Sequence, residues 1–311
     1  MTVLALTWME LDTWIVVTAA LAAMACALPG VFLVLRRMSM MGDAISHAVL
    51  PGLAGAFLFT GMRTSGVMFV GAVAVAIAAT LLIHAVHRWG NVESGAAMGV
   101  VFSALFAFGL VMLHQASHTQ RIDLDPDCVL YGSLEMTVLD TWRVLGFDVP
   151  RAAVVLGGAL LLNAAVVAVL FKELRLSSFD AGLAKALGFR PGLLHVLLMV
   201  VVAMTTVAAF EAIGSILVIA MLIVPAATAL LLVHRLAWVI AVSLLFAAVA
   251  AGLGHVAAIG VPPMFGFVDT TTAGSMATVS GVLFAVVLVA SAAARSLARR
   301  ARLVADPRDS P

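Results

Sequence analysis

A carboxylate and an imidazole lie one helical turn apart in a mainly apolar part of the chain. Asp43 and His47 are separated by four positions, so on a helix both side chains share one face and can reach one point. Oxygen and nitrogen ligands of this kind suit manganese, iron or zinc, whereas thiolates would indicate copper. The pair therefore predicts a metal site. The alternative is structural, with Asp43 capping its helix and His47 making a packing hydrogen bond.

Four further residues mark places where a membrane helix would be interrupted or would carry a polar group. Pro51 follows His47 by one helical turn, and its ring removes the amide that would bind the His47 carbonyl. Pro225 lies within an apolar run, Glu211 is an isolated acid between two such runs, and His255 lies near the end of a later one. Broken helices beside cavities are typical of transport pathways, so we predict these four as pore or gating residues. Structural proline kinks, and a structural hydrogen bond at His255, are the alternatives.

A short amphipathic segment at residues 177–189 reads SSFDAGLAKALGF. Ser177 or Ser178 can cap a helix there, and Gly188 can end it. Such a helix either docks into a soluble partner or lies on the membrane surface. The candidate contact residues are Phe179, Asp180, Leu183, Ala184, Leu187 and Gly188.

The composition predicts that nearly the whole chain lies within a membrane. Hydrophobic residues make up 64% of the 311 positions and charged residues 11%, whereas soluble domains have about 45–50% and about 25%. A span needs about 20 mainly apolar residues, and helices satisfy the backbone groups that lipid cannot. We predict an all-α polytopic transmembrane bundle with about nine spans, at residues 14–35, 40–61, 66–87, 96–114, 151–171, 193–210, 213–233, 237–258 and 276–294.

The basic residues predict the orientation of these spans. Most of them follow the odd-numbered windows, so with nine alternating spans these lie on one side, which the positive-inside rule makes cytoplasmic, and Arg63, on the outer side, is the one small exception. The N-terminus is then outside and the C-terminus inside; without a split near Glu211 the count is eight and this agreement is lost. One domain covers residues 1–302, and residues 303–311 form a disordered tail. The basic positions are Arg36, Arg37, His87, Arg88, Lys172, Arg175, Arg235, Arg295, Arg299, Arg300 and Arg302.

Several classes of function are excluded by composition or by missing motifs. The net charge is +1, and no acidic or basic block predicts nucleic-acid binding. The sequence contains no HExxH, GxSxG or GxxxxGK[ST], so a protease, lipase or ATPase would lack its chemical centre. We therefore expect neither enzyme activity nor a resident cofactor in this chain.

Four segments, taken in order, resemble the permease family of manganese, zinc and iron ABC importers. The resemblance covers nearly the full chain, from Val34 to at least Phe284. The tyrosine-glycine form of the second segment is similar to the manganese and iron branch. The segments are GDAISHAVLPG (42–52), DPDCVLYGSLE (125–135), FKELRLSSFDAGLAKALGF (171–189) and AIGSILVIAMLIVPAATALLL (212–232).

The resemblance implies a type II-importer-like permease in a bacterial inner membrane. Its partners would be a second permease copy or a paralogue, two cytoplasmic ATP-binding cassette subunits and an extracytoplasmic metal-binding protein. Asp43 and His47 would form the pore site for the transported Mn²⁺, Fe²⁺ or Zn²⁺. The segment near Phe179 to Phe189 would receive the movement of the ATPase. The rival hypothesis is a stand-alone secondary transporter or channel in which Asp43, His47 and Glu211 relay protons.

Overall fold

The computed structural model describes residues 9–38, 40–60, 65–120, 134–144, 146–266 and 270–305. Within these ranges the chain is almost entirely helical. The helices are α1 (Glu10–Leu35), α2 (Met41–Thr60), α3 (Ser65–Gly90), α4 (Ser94–Gln120), α5 (Leu134–Thr137), α6 (Arg151–Val169), α7 (Phe171–Phe179), α8 (Ala181–Ala186), α9 (Pro191–Leu232), α10 (Leu236–Gly260) and α11 (Thr272–Ala305). A hairpin of strands β1 (Thr141–Val144) and β2 (Phe147–Pro150) precedes α6, and a 3-10 turn, Pro262–Phe265, follows α10.

Nine segments of the described chain are long and apolar enough to cross a membrane. Seven helices supply one segment each, and α9 supplies two, Pro191–Phe210 and Ala212–Leu232. This confirms the predicted transmembrane helical bundle. The hairpin β1–β2, with Trp142 opposite Val149, is a small β element that the all-α prediction lacks. At the other extreme of the chain, α11 continues to Ala305, into the segment assigned to a disordered tail, and residues 306–311 lie outside the described ranges.

Helix α9 reverses direction at Gly214. This residue has φ 74° and ψ 167° and is the one position inside α9 with non-helical torsion angles; glycine adopts a positive φ without the steric cost of a Cβ atom. Before the turn, Ala212 lines a pocket with Arg151 at the start of α6. After the turn, Arg235, which follows the end of α9, lines a cleft with Arg175 of α7. Helix α7 follows the other end of α6, and α9 begins at that same end. The two arms are therefore antiparallel spans.

The bundle has two chemically different ends. The basic end carries Arg36, which contacts α7, and the cleft that Arg175 and Arg235 line together. The opposite end, called the Asp12 end, carries Asp12 at the start of α1, 3.4 Å from His255 near the end of α10. Arg36, Arg175 and Arg235, three of the residues predicted to share a side, therefore lie at the same end of the bundle.

The centre of the bundle is built from α1, α2 and the first arm of α9. These spans are mostly buried, whereas α3, α4, α6 and α11 expose most of their apolar surface, as expected of helices that face lipid. Helix α1 owes its central place to small side chains, which let helix backbones approach closely. Its fully buried alanines are Ala19, Ala22, Ala23, Ala25 and Ala27.

Gly30 of α1 lies directly against the backbone of α9. A Cβ atom added to Gly30 would overlap the carbonyl oxygen of Leu222 and lie 2.8 Å from its carbonyl carbon. A backbone group cannot rotate away as a flexible side chain would. The contact therefore sets the spacing between α1 and the second arm of α9.

One buried polar network joins three spans near their middle. The Asn163 amide of α6 donates to the Ala25 carbonyl of α1 at 2.9 Å and to the Thr205 hydroxyl of α9 at 2.8 Å. The Thr205 hydroxyl is in turn within 2.8 Å of the Val201 carbonyl. These groups are each almost fully buried, so every lost partner leaves a polar atom without water.

We expect Thr205→Val to lower the stability of the protein and Thr206→Val to leave it unchanged or raise it. The two threonines are adjacent and equally buried, but within the described residues the Thr206 hydroxyl has no hydrogen-bond partner. Losing the Thr205 bonds should cost about 1–2 kcal/mol. Thermal unfolding of the two purified variants measures this, and an equal shift in both would contradict the role of the network.

Candidate functional site

Asp43 and His47 form a pair on the first two turns of α2. The Nε2 atom of His47 lies 3.3 Å from Oδ1 of Asp43. Helix α2 begins at Met41, so Asp43 belongs to its first turn, and its carboxylate pairs with His47. The predicted shared face is present, and the two groups can bind one ion.

Two aromatic rings of α4 hold the His47 imidazole. The centroids of Phe102 and Phe106 lie 5.0 and 5.1 Å from that of His47, at interplanar angles of 59° and 84°. The Nδ1 atom of His47 is buried and has no hydrogen-bond partner among the described residues. The rings therefore restrict the imidazole by packing and leave Nε2 as the nitrogen that faces Asp43.

The pair lies near the middle of the bundle, although Asp43 is close to the beginning of α2. A Cβ atom on Gly42, the residue before Asp43, would lie 2.7 Å from Cδ1 of Leu222. Leu222 is about 15 Å along the helix axis from the end of α9 at Leu232, at 1.5 Å per residue. Asp43 therefore lies beside the middle of the second arm of α9.

The pair is also partly open. The Asp43 side chain is 46% exposed and that of His47 is 22% exposed in the isolated chain. Since an ionised carboxylate is not stable against lipid tails, this surface must face water or another protein subunit. Among the described residues no group of three or more histidine, cysteine, aspartate or glutamate side chains could hold a metal ion.

The other predicted pore residues occupy different places. Pro51 is buried in α2, where Gly109 of α4 packs against its ring. Pro225 lies within helical backbone, so the predicted interruption there is wrong and the irregular residue in α9 is Gly214. Pro225 is one turn from Leu222, and the Glu211 side chain lies outside the described side chains.

His255 belongs to a polar cluster at the Asp12 end, apart from Asp43 and His47. It is buried, with Nε2 3.4 Å from Asp12 Oδ1 and Nδ1 3.1 Å from the Thr272 hydroxyl. The Thr272 backbone N–H donates to the Glu135 carboxylate at 2.8 Å. The cluster joins α1, α5, α10 and α11, and this geometry favours the structural interpretation of His255.

The segment predicted as one amphipathic helix contains the end of α7 and the whole of α8. Asp180, with extended torsion angles, separates α7 from α8, and its Oδ1 accepts the Leu183 N–H at 2.9 Å as the cap of α8. The predicted cap at Ser177 or Ser178 is therefore wrong. Gly188 has φ 85° and follows the last turn, as expected of a helix stop.

Three apolar residues of the segment are available for contact. Phe179, Leu183 and Leu187 are each about half exposed or more, whereas Ala184 is buried at the base of α8. The half-exposed apolar groups are the ones that a partner would cover.

Ser177 and Ser178 bind an arginine that the sequence pattern did not single out. Nη2 of Arg36 donates to the Ser177 hydroxyl at 2.8 Å, and Nε donates to the Ser178 hydroxyl at 3.0 Å. Burial lowers the pKa of the Arg36 guanidinium from its ordinary value, and the two hydroxyls offset part of that desolvation. Arg36 thus links α7 to the turn that leads into α2 and the Asp43 pair.

Several known proteins are similar to this chain in sequence. Residues 9–291 match the ABC 3 transport family. The manganese transport system membrane protein MntD of Bacillus subtilis is 39% identical over 278 residues, covering 89% of this chain and 91% of the relative. The zinc transport system membrane protein TroD of Treponema pallidum is 39% identical over 277 residues, covering 89% of this chain and 73% of the relative.

A solved structure has a fold similar to that of this chain. PsaBC from Streptococcus pneumoniae, in complex with a Fab, superposes with a TM-score of 0.71 and 29% identity, covering 91% of this chain and 92% of that one. The sequence match and the shared architecture both indicate the same protein family. The chain is a multi-pass membrane protein that belongs to the ABC 3 transport family, a family of transport subunits of ABC transporters.

Proposed function

We propose that this chain is the membrane-spanning permease of an ATP-driven importer that moves a divalent transition metal into the cytoplasm. The observation that carries the proposal is the partly open Asp43 and His47 pair at mid-depth in the bundle. A carboxylate and an imidazole can replace part of the water shell that a divalent ion loses in a low-dielectric passage. The metal is cargo, and no resident cofactor is part of the proposal.

A second permease would complete the site. Two protein ligands are few for a transition metal, which usually takes four to six. A second copy or a paralogue, facing the open side of Asp43 and His47, would add two more and would shield the carboxylate from lipid. The resulting site is modest in ligand number, which suits a carrier that must also release its ion.

The remaining partners follow from family membership. An ABC 3 transport subunit works with an ATP-binding subunit and with a substrate-binding protein. We propose two ATP-binding subunits docked on α7 and α8 at the basic end, where Phe179, Leu183 and Leu187 are exposed. The binding protein would deliver metal at the Asp12 end. We propose a bacterial inner-membrane location with the N-terminus outside and the C-terminus in the cytoplasm, which the distribution of basic residues favours.

Manganese is the favoured cargo, with iron and zinc as alternatives. Two relatives of equal identity are named for different metals, manganese for MntD and zinc for TroD, so overall similarity does not choose between them. Uptake by the reconstituted complex, with the three metals in competition, decides the preference. The same assay tests the proposal as a whole, because a secondary transporter would carry metal without an ATP-hydrolysing subunit.

We expect Arg36→Gln to uncouple ATP hydrolysis from transport. The change removes the donors that tie α7 to the turn before α2, and hydrogen bonds from a charged donor are worth about 1.5–3 kcal/mol. Metal moved per ATP hydrolysed should fall about tenfold, while hydrolysis itself persists. Simultaneous measurement of both rates in proteoliposomes gives this ratio.

Two further variants distinguish loss of the Arg36 hydrogen bonds from a general effect of removing a positive charge. The double change Ser177→Ala and Ser178→Ala removes the acceptors and should reproduce the uncoupling. The matched control is Arg37→Gln, because Arg37 is the exposed neighbour and makes no bond to α7. An unchanged ratio in the double variant, or equal loss in the control, would count against the link.

A further inference from the structure

A cleft of about 630 Å³ opens at the basic end, between α7 and the beginning of α10. It combines apolar walls with groups that carry or can accept positive charge. The apolar residues come from both elements, and the basic ones are two arginines and a histidine. The lining residues are Phe171, Arg175, Leu176, Phe179, His234, Arg235, Leu236 and Ala237.

The two arginines of this cleft carry uncompensated charge. Both side chains are exposed, and among the described residues neither Arg175 nor Arg235 forms an ion pair with a carboxylate. Guanidinium groups bind phosphate oxygens in a bidentate manner and are suited to such recognition. The cleft is therefore complementary to an anion that carries a phosphate.

The surroundings of the cleft indicate where that phosphate comes from. Val169, at the end of α6 just before α7, is 77% exposed, and Trp238, in the first turn of α10, is 60% exposed. Both spans present apolar surface to lipid, and tryptophan is enriched at the level of the headgroups. The cleft thus opens between two spans with exposed apolar surface, at the ends where lipid headgroups are expected.

We propose that this cleft binds the headgroup of an anionic phospholipid, with its phosphate paired to Arg175 and Arg235 and its acyl chains against α6 and α10. Basic pockets between membrane helices recognise such headgroups. An acidic loop of the ATP-binding subunit would match the arginines but would leave Val169 and Trp238 without a partner. The site is separate from Asp43 and His47, so it does not depend on the identity of the cargo.

Lipid binding to the purified complex tests this inference. Native mass spectrometry in detergent, with phosphatidylglycerol titrated into the sample, reports the affinity directly. Each basic group near a membrane surface contributes about 1 kcal/mol, or about fivefold. The double variant Arg175→Gln and Arg235→Gln should therefore bind phosphatidylglycerol about 25-fold more weakly, and each single variant about fivefold. Arg190→Gln is the matched control, since Arg190 is an exposed arginine at the same end that does not line the cleft.

Three results would overturn the inference. The first is equal affinity of the wild type and the single variants for phosphatidylglycerol, which applies even if the double variant does not assemble. The second is equal binding of phosphatidylcholine, or of inorganic phosphate alone, which would indicate recognition of something other than an anionic lipid. The third is loss of the ATP-binding subunit from the variants with lipid binding intact, which would make the cleft a protein-docking surface.

Discussion

Replacing Asp43 with asparagine or His47 with alanine is expected to reduce metal uptake to the background of membranes without the complex. At the proposed metal site, either change would leave the desolvated ion with one ligand fewer from each chain. Loss even of a residue that only supports a ligand costs about 10–100-fold in metal affinity, so removal of a ligand itself should cost at least that. Uptake of radioactive manganese into proteoliposomes containing the ATP-binding subunit measures the effect.

The control for this experiment comes from the same helix. Ser46 is buried in α2, and its hydroxyl donates to the Gly42 carbonyl at 2.8 Å instead of lining the open surface. Ser46→Ala should therefore assemble and transport normally. Wild-type uptake by both the Asp43 and the His47 variants, with normal amounts of complex, would rule out this pair as the metal site.

Replacing Gly30 with alanine is expected to prevent stable folding of the permease. The added methyl group would occupy the position of the Leu222 carbonyl oxygen, so α1 and α9 would have to separate along their length. Overpacking costs about 1–3 kcal/mol where side chains can adjust, and a backbone contact should exceed that range. The yield of monodisperse protein in detergent and its thermal unfolding temperature report the loss.

A glycine with free space around it supplies the comparison. Gly252 lies within α10, and a Cβ atom placed on it meets no atom within 4 Å. Gly252→Ala should be neutral or slightly stabilising, because alanine favours helix by about 1 kcal/mol over glycine. If both variants lost stability equally, the effect would belong to helix flexibility and the packing explanation for Gly30 would fail.

Local spacing was sufficient to predict that the side chains of Asp43 and His47 lie together. Four-residue separation on a helix brings Asp43 and His47 together regardless of the rest of the fold, because the contact lies within one turn. The nine spans were equally predictable, since apolar length is a property of the segment itself. The turn at Gly214 was located near the predicted split at Glu211, although its shape was not.

Features that depend on distant parts of the chain were missed. The Arg36 contacts join positions more than 140 residues apart, and nothing around Ser177 indicates that its hydroxyl accepts a hydrogen bond from Arg36. The same applies to Phe102 and Phe106, which read as ordinary lipid-facing aromatics until α4 packs on α2. Pro225 was predicted to interrupt α9 because proline lacks a backbone N–H donor. The irregular residue is Gly214 instead, because glycine tolerates the positive φ of the reversal.

The buried alanines of α1 have a consequence for how evolutionary variation in this family should be interpreted. Ala19, Ala22, Ala23 and Ala25 have no accessible surface, so any larger residue at these positions must displace a neighbouring helix. We therefore expect selection to restrict these positions to small residues, although they do no chemistry. A ranking of positions by conservation would therefore mix two kinds of constraint, one on volume and one on ligand identity.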